Sequence, residues 1–135
     1  CTTYYYDFDN DGYGTSTNQC LSSPTGFYTA TNSSDCYDNN ADANPAQTGF
    51  FSSHRGDGSY DYNCDGSQQE RYTESGSCQY LSSVLPSCDY TPGWTGTLLP
   101  SCGSSGLHIT ACELSSNPIL LECNEVTTSR DQTCR

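Results

Sequence analysis

The chain has 135 residues, 33% of them apolar, and sets 16 Asp and Glu against four Arg and no Lys, for a formal charge of −12. A chain of that sign repels phosphate backbones and anionic lipid, which disfavours nucleic-acid and membrane-surface roles and makes cations its natural partners. Its longest aliphatic run, Ile119-Leu120-Leu121, falls far short of the roughly 20 residues a membrane helix needs, so no membrane insertion is expected.

Every Ile, Leu and Val except Leu21 lies beyond residue 80, so the first half cannot rest on an aliphatic core. From the N-terminus, Thr2–Tyr6 is a β-favouring run. Its three successive Tyr must place rings on both faces, covered either within the monomer or by a neighbouring subunit. The run ends at Asp7-Phe8-Asp9-Asn10-Asp11-Gly12-Tyr13-Gly14, with carboxylates at i, i+2 and i+4 followed by glycine. This is the opening of an EF-hand-like calcium loop, in which alternate side chains converge on one hard cation and the Tyr13 carbonyl is the next ligand. Asn18 stands where the closing carboxylate of such a loop belongs. The remaining oxygens must therefore come from elsewhere in the chain.

Gly26–Thr31 is a second candidate strand, and Asp35–Pro45 is an oxygen-rich stretch with room for about one helical turn. Asn32-Ser33-Ser34 has the form of an N-glycosylation sequon. Arg55-Gly56-Asp57 matches the tripeptide read by integrins and is taken as an ordinary loop. Asp61-Tyr62-Asn63-Cys64-Asp65-Gly66 then repeats the acid–x–Asn–x–acid–Gly pattern, and Ser67–Tyr72 has room for another helical turn.

Near residue 70 the composition changes. Residues 1–70 carry nine of the eleven Asp, all four Phe and a net charge of −9, whereas 71–135 carry the only Trp and a net charge of −3. The ten Cys divide four and six between these halves. That division predicts two modules, 1–70 and 71–135, with two and three internal disulfides. Leu107–Cys112 and Ile119–Cys123 read as short strands of the second module, and Trp94 as its core anchor. The expected fold is small, disulfide-rich, irregular and β-rich, with little helix: an Asp-loop module followed by a short-stranded Cys-rich β module.

The Asp segments resemble the MopE-type metal-binding motif of bacterial secreted and surface proteins. That pattern runs from an aromatic strand through Asp-x-Asp-x-Asp-Gly-Tyr-Gly and Asp-Cys-x-Asp-Asn-Asn to Asn-Cys-Asp-Gly, and is met here by Tyr5–Gly14, Asp35–Pro45 and Tyr60–Gly66. The resemblance implies one or two Ca2+ ions. The first would be held by Asp7, Asp9, Asp11 and the Tyr13 carbonyl, closed by Asp38 with Asp35 beside it. The second would use Asp61, Asn63 and Asp65 with help from the Asp35–Asp42 stretch. One departure stands out: Arg55-Gly56-Asp57-Gly58 replaces a usual Cys-Asp-Gly, which leaves Cys64 without its near partner and makes Cys1 the expected substitute. The second module resembles more loosely the Cys-rich segment that accompanies such motifs, and the thrombospondin type 1 module, whose stacked Trp and Arg side chains imply Arg130 as a cation–π partner of Trp94. Soft copper is disfavoured because the chain has no Met.

His54 and His108 are each alone in sequence, and neither Gly-x-Ser-x-Gly nor His-Glu-x-x-His occurs, so no enzymatic activity is expected. Ten Cys are the usage of an oxidising compartment. The absence of Met predicts loss of the initiator with a leader or a longer precursor. Lipidation of Cys1 would leave nine thiols, so Cys1 is expected in a bridge. The expectation is a secreted, extracellular or cell-surface calcium-binding structural protein, a filament or matrix subunit partnered by its own copies. The alternative is an adhesion or carbohydrate-binding module with calcium-ordered loops.

Overall fold

A computed structural model describes residues 1–82 and 85–135. It is built of strands and turns, with no helix among the described residues. All ten cysteines are disulfide-bonded. The chain divides into two compact units, Cys1–Gln69 with Thr133–Arg135, and Glu70–Gln132.

In the first unit, β1 (Thr2–Tyr6) is the central strand between β2 (Asn18–Leu21) and β3 (Tyr28–Ala30), and both pairings are antiparallel. The residues after β1 therefore form a hairpin loop, closed by hydrogen bonds from Tyr6 N to Thr17 O and from Thr15 N to Tyr6 O. β2 was not anticipated, since Asn18-Gln19-Cys20-Leu21 has little β character. It sets Cys20 beside Thr3 in the register, which is why Cys1 pairs with Cys20 and Cys64 with Cys36. The expected Cys1–Cys64 pairing is thus corrected. Tyr4–Tyr6 are half-buried, and Tyr6 packs against Phe27 and Tyr28 with both ring centroids at 5.5 Å.

The core of this unit is aromatic and small rather than aliphatic. Ala30, Ala43, Tyr62 and Cys134 are buried, and Tyr62 stacks on Phe51 at 3.9 Å. Thr133–Arg135, expected with the second module, join this unit because Cys134 exchanges two backbone hydrogen bonds with Phe51, and Arg135 two with Gln69. Neither anticipated helical turn forms. Between 35 and 46 the side chains of Asp35, Asn40 and Asn44 each accept a hydrogen bond from the backbone N–H two residues on, a local alternative that competes with helix.

The second unit pairs β4 (Ser77–Leu81) with β5 (Ser87–Thr91) and forms a separate sheet of β6 (Gly93–Trp94), β7 (Ser105–Leu114) and β8 (Cys123–Asp131) in that order. Cys78–Cys112 and Cys88–Cys123 staple the hairpin to the sheet. The strand expected at Ile119–Cys123 is displaced. Pro118 supplies no backbone donor, Asn117 caps a turn by accepting from Ile119 N, and β8 starts only at Cys123. Trp94 and Ile109 are each 1% exposed, so Trp94 is a core anchor, and its Nε1–H donates to Tyr72 O. Arg130 lies over Tyr72, 4.6 Å from the ring centroid, while Trp94 meets Tyr72 and His108 edge-on.

Candidate metal centre

The loop after β1 is ordered by its own first carboxylate. Asp7 is 3% exposed. Its Oδ1 accepts from Asp11 N, and its Oδ2 from Gly12 N and from the Thr29 hydroxyl. Asp11 Oδ1 in turn accepts from Tyr13 N. Such a curl needs left-handed backbone, found at Asn10 (φ 62°) and Gly12 (φ 92°). Tyr13 therefore sits immediately past the turn, with its amide fixed.

Curled this way, the loop brings ligand oxygens of Asp7, Asp9 and Asp11 within 4.8 Å of one another, and those of Asp9, Asp35 and Asp38 likewise. Asp9 belongs to both groups, so five carboxylates form one continuous cluster. Gly14 is what carries Asp35 there. Its N–H donates to Asn32 O, and its carbonyl accepts from Asp35 N. A Cβ at Gly14 would stand 2.6 Å from Tyr5 Cβ, so only glycine fits between loop and strand. Asp38 is held by Phe8 N–H donating to its Oδ1 at 2.8 Å.

The electrostatics of this cluster are unfavourable as they stand. Both oxygens of Asp9, Oδ2 of Asp11 and Oδ2 of Asp35 are buried and accept no hydrogen bond. Burial, then the neighbouring carboxylates, push Asp9 up to about 6; burial chiefly pushes Asp35 up to about 6 and raises Asp11. Buried carboxylate oxygens without donors are costly unless a cation or a proton meets them. An all-oxygen set of this kind suits a hard divalent ion.

Asp61-Tyr62-Asn63-Cys64-Asp65-Gly66-Ser67 repeats the first loop bond for bond. Asp61 Oδ1 accepts from Asp65 N, Asp61 Oδ2 from Gly66 N, and Asp65 Oδ1 from Ser67 N. Cys64 (φ 57°) and Gly66 (φ 85°) stand where Asn10 and Gly12 do. The Asn63 amide lies 3.1 Å from both Asp61 Oδ1 and Asp65 Oδ1. With nitrogen toward them it donates to both; with oxygen toward them, three oxygens ring one point. This loop is more open than the first, and the hydrogen bonds from Ser67 draw Asp65 below the usual carboxylate range. Asp35 and Asp38 group with Asp9, and Asp35 also lies near the Cys36 and Cys64 sulfurs, but none of the groups joins either of them to Asp61 or Asp65. The Cys36–Cys64 bridge nevertheless ties the loop to the segment that closes the first one.

Other features are structural. Arg55 pairs with Asp57 at 3.0 Å, donates to Asp61 O and lies over the Tyr37 ring. The Arg-Gly-Asp side chains are therefore joined to each other rather than splayed outward. His54 Nδ1 accepts from Gly56 N and Gly58 N. Asn32 of the sequon donates to Gly12 O and accepts from Ser34. The sequence did not reveal the orphaned state of the Asp9 oxygens, nor the role of Gly14 as the strut for Asp35, because both follow from a contact between residues about 20 positions apart. No protein-family model, no curated protein and no solved structure matches this chain.

Proposed function

We propose that the first unit binds calcium, and that the protein is a non-enzymatic, secreted structural component of a cell surface or extracellular assembly. One observation carries the calcium reading: the buried, donor-free oxygens of Asp9, Asp11 and Asp35 converge in a cluster that Asp7 and Asp38 complete. The hard oxygen donors, the EF-hand-like spacing and the likeness to the MopE-type motif all favour Ca2+ over softer ions. The ion neutralises the cluster and pins Asp35 and Asp38 to the loop. A second, more open position lies at Asp61, Asn63 and Asp65.

Extracellular calcium modules bind at about 0.1–1 mM. At ten times Kd, binding adds about 1.4 kcal/mol to stability. Calcium is thus a shaping ligand here, and the disulfides, each worth about 2–4 kcal/mol, hold the chain together.

Isothermal titration of calcium into the chelator-stripped protein tests the first part: saturable binding of one or two calcium ions is expected, and no binding at millimolar calcium refutes it. Electron microscopy and sedimentation with and without EGTA test assembly. Monomers alone in both conditions refute the polymer.

A further inference from the structure

Beside the carboxylate cluster the first unit has a shallow groove of about 460 Å³ lined by Tyr6, Phe8, Thr15, Thr17, Asp38 and Asn39. Its aromatic wall is exposed yet braced. Phe8 is 49% exposed and Phe27, behind it, 47%. Their ring centroids lie 5.1 Å apart, and Phe27 leans on Tyr6 at 5.5 Å. Loop phenylalanines left half in water contribute little burial energy, and the Phe8 ring is left open to a ligand.

The polar lining decides which ligand. An anion is repelled by Asp38 and by the charge of −12. A cation needs acceptors alone, whereas the Asn39 amide and the Thr15 and Thr17 hydroxyls donate as well as accept. Among the described residues, neither the Asn39 side chain nor the Thr17 hydroxyl is engaged by another group. An aromatic face beside several two-way polar groups matches a pyranose, whose C–H face stacks on a ring while its hydroxyls both give and take hydrogen bonds. We propose that this groove binds a neutral pyranose unit of a polysaccharide, stacked on Phe8 and read by Asn39, Thr15 and Thr17. The inference rests on the calcium reading in one respect: Asp38, which receives the Phe8 N–H, belongs to both sites, so the ion steadies the wall.

The test is a ¹H–¹⁵N titration of the full chain in 1 mM CaCl₂ with methyl β-D-glucopyranoside, methyl α-D-mannopyranoside, N-acetylglucosamine and cellohexaose, each at millimolar concentration. At least one sugar should shift the amides of Phe8, Thr15, Thr17 and Asn39 together, and Phe8→Ala should weaken that binding about tenfold. Asn39→Ala, at an exposed position, gives a second reading independent of the loop's packing and should also weaken it. No shift with any of the four sugars overturns the proposal, as do shifts elsewhere or shifts that survive both substitutions. A separate calcium titration keeps the readings apart. Calcium binding without sugar binding overturns the groove alone, and sugar binding in a protein that takes up no calcium overturns the ion alone.

Discussion

Gln132 is fully buried and clamps one residue: its Oε1 accepts from Tyr72 N at 3.0 Å and its Nε2 donates to Tyr72 O at 2.7 Å. The Tyr72 carbonyl keeps a second donor in the Trp94 indole, but its N–H has no other partner. Gln132→Leu should therefore destabilise the second unit by about 1–3 kcal/mol in urea unfolding, the cost of one buried unpaired donor. Asp9 presents the opposite case, a charge that the folded protein without metal resists. Asp9→Asn keeps the shape and removes the charge, so melting in EGTA should move to higher temperature while calcium affinity falls about tenfold. A lower melting temperature in EGTA would show that Asp9 is not electrostatically strained.

At the scale of elements, the two units should answer pH in opposite senses. In the first, Asp9 and Asp35 are raised from 3.8 to about 6. The folded state thus holds protons the unfolded chain has released, and stability without metal should be full below about pH 4 and decline as pH rises through 6. On the proposed calcium reading the ion takes the place of those protons, so calcium should flatten the decline. In the second unit His108, on β7, is lowered from 6.5 by burial and by Arg130, whose guanidinium lies 3.4 Å from its Nε2. Its contribution is complete above 6.5 and lost on acidification. Amide exchange followed unit by unit from pH 4 to 8 checks both slopes. The loop–strand junction makes a third prediction. Gly14→Ala must push Tyr5 and Asn32 apart, which should cost about 1–3 kcal/mol by overpacking. It should also weaken calcium binding, since Asp35 is carried by the same glycine. Gly12→Ala, with open space around its Cβ position but φ at +92°, should act through the backbone alone.

For the whole molecule, disulfide cross-links take the place of a large apolar core, and calcium is the proposed shaping ligand. Reduction should unfold the chain with or without calcium, whereas EGTA at pH 7 should lower the melting temperature of the oxidised protein without unfolding it. Circular dichroism during each treatment distinguishes the two. A disulfide-rich, β-rich fold with little helix was legible in the sequence, because ten Cys, scarce aliphatics and abundant Asx residues leave few other ways to be stable. So were β1, the core position of Trp94 and the curl of both Asp loops, all governed by local chemistry: β-branched and aromatic runs, glycine at positive φ, and carboxylates accepting from nearby amides. β2, the Cys1–Cys20 and Cys36–Cys64 pairings, the start of β8 and the return of Thr133–Arg135 to the first unit were not legible. Each depends on which distant backbone edge is free to pair, and no short window of sequence encodes that. The acidic residues by themselves determined that this protein must deal with concentrated negative charge. Only the tertiary structure decided that oxygens of Asp9, Asp11 and Asp35 lose both water and hydrogen-bond donors, because the close approach at Gly14 and the Cys36–Cys64 bridge bring Asp35 and Asp38 against the curled loop.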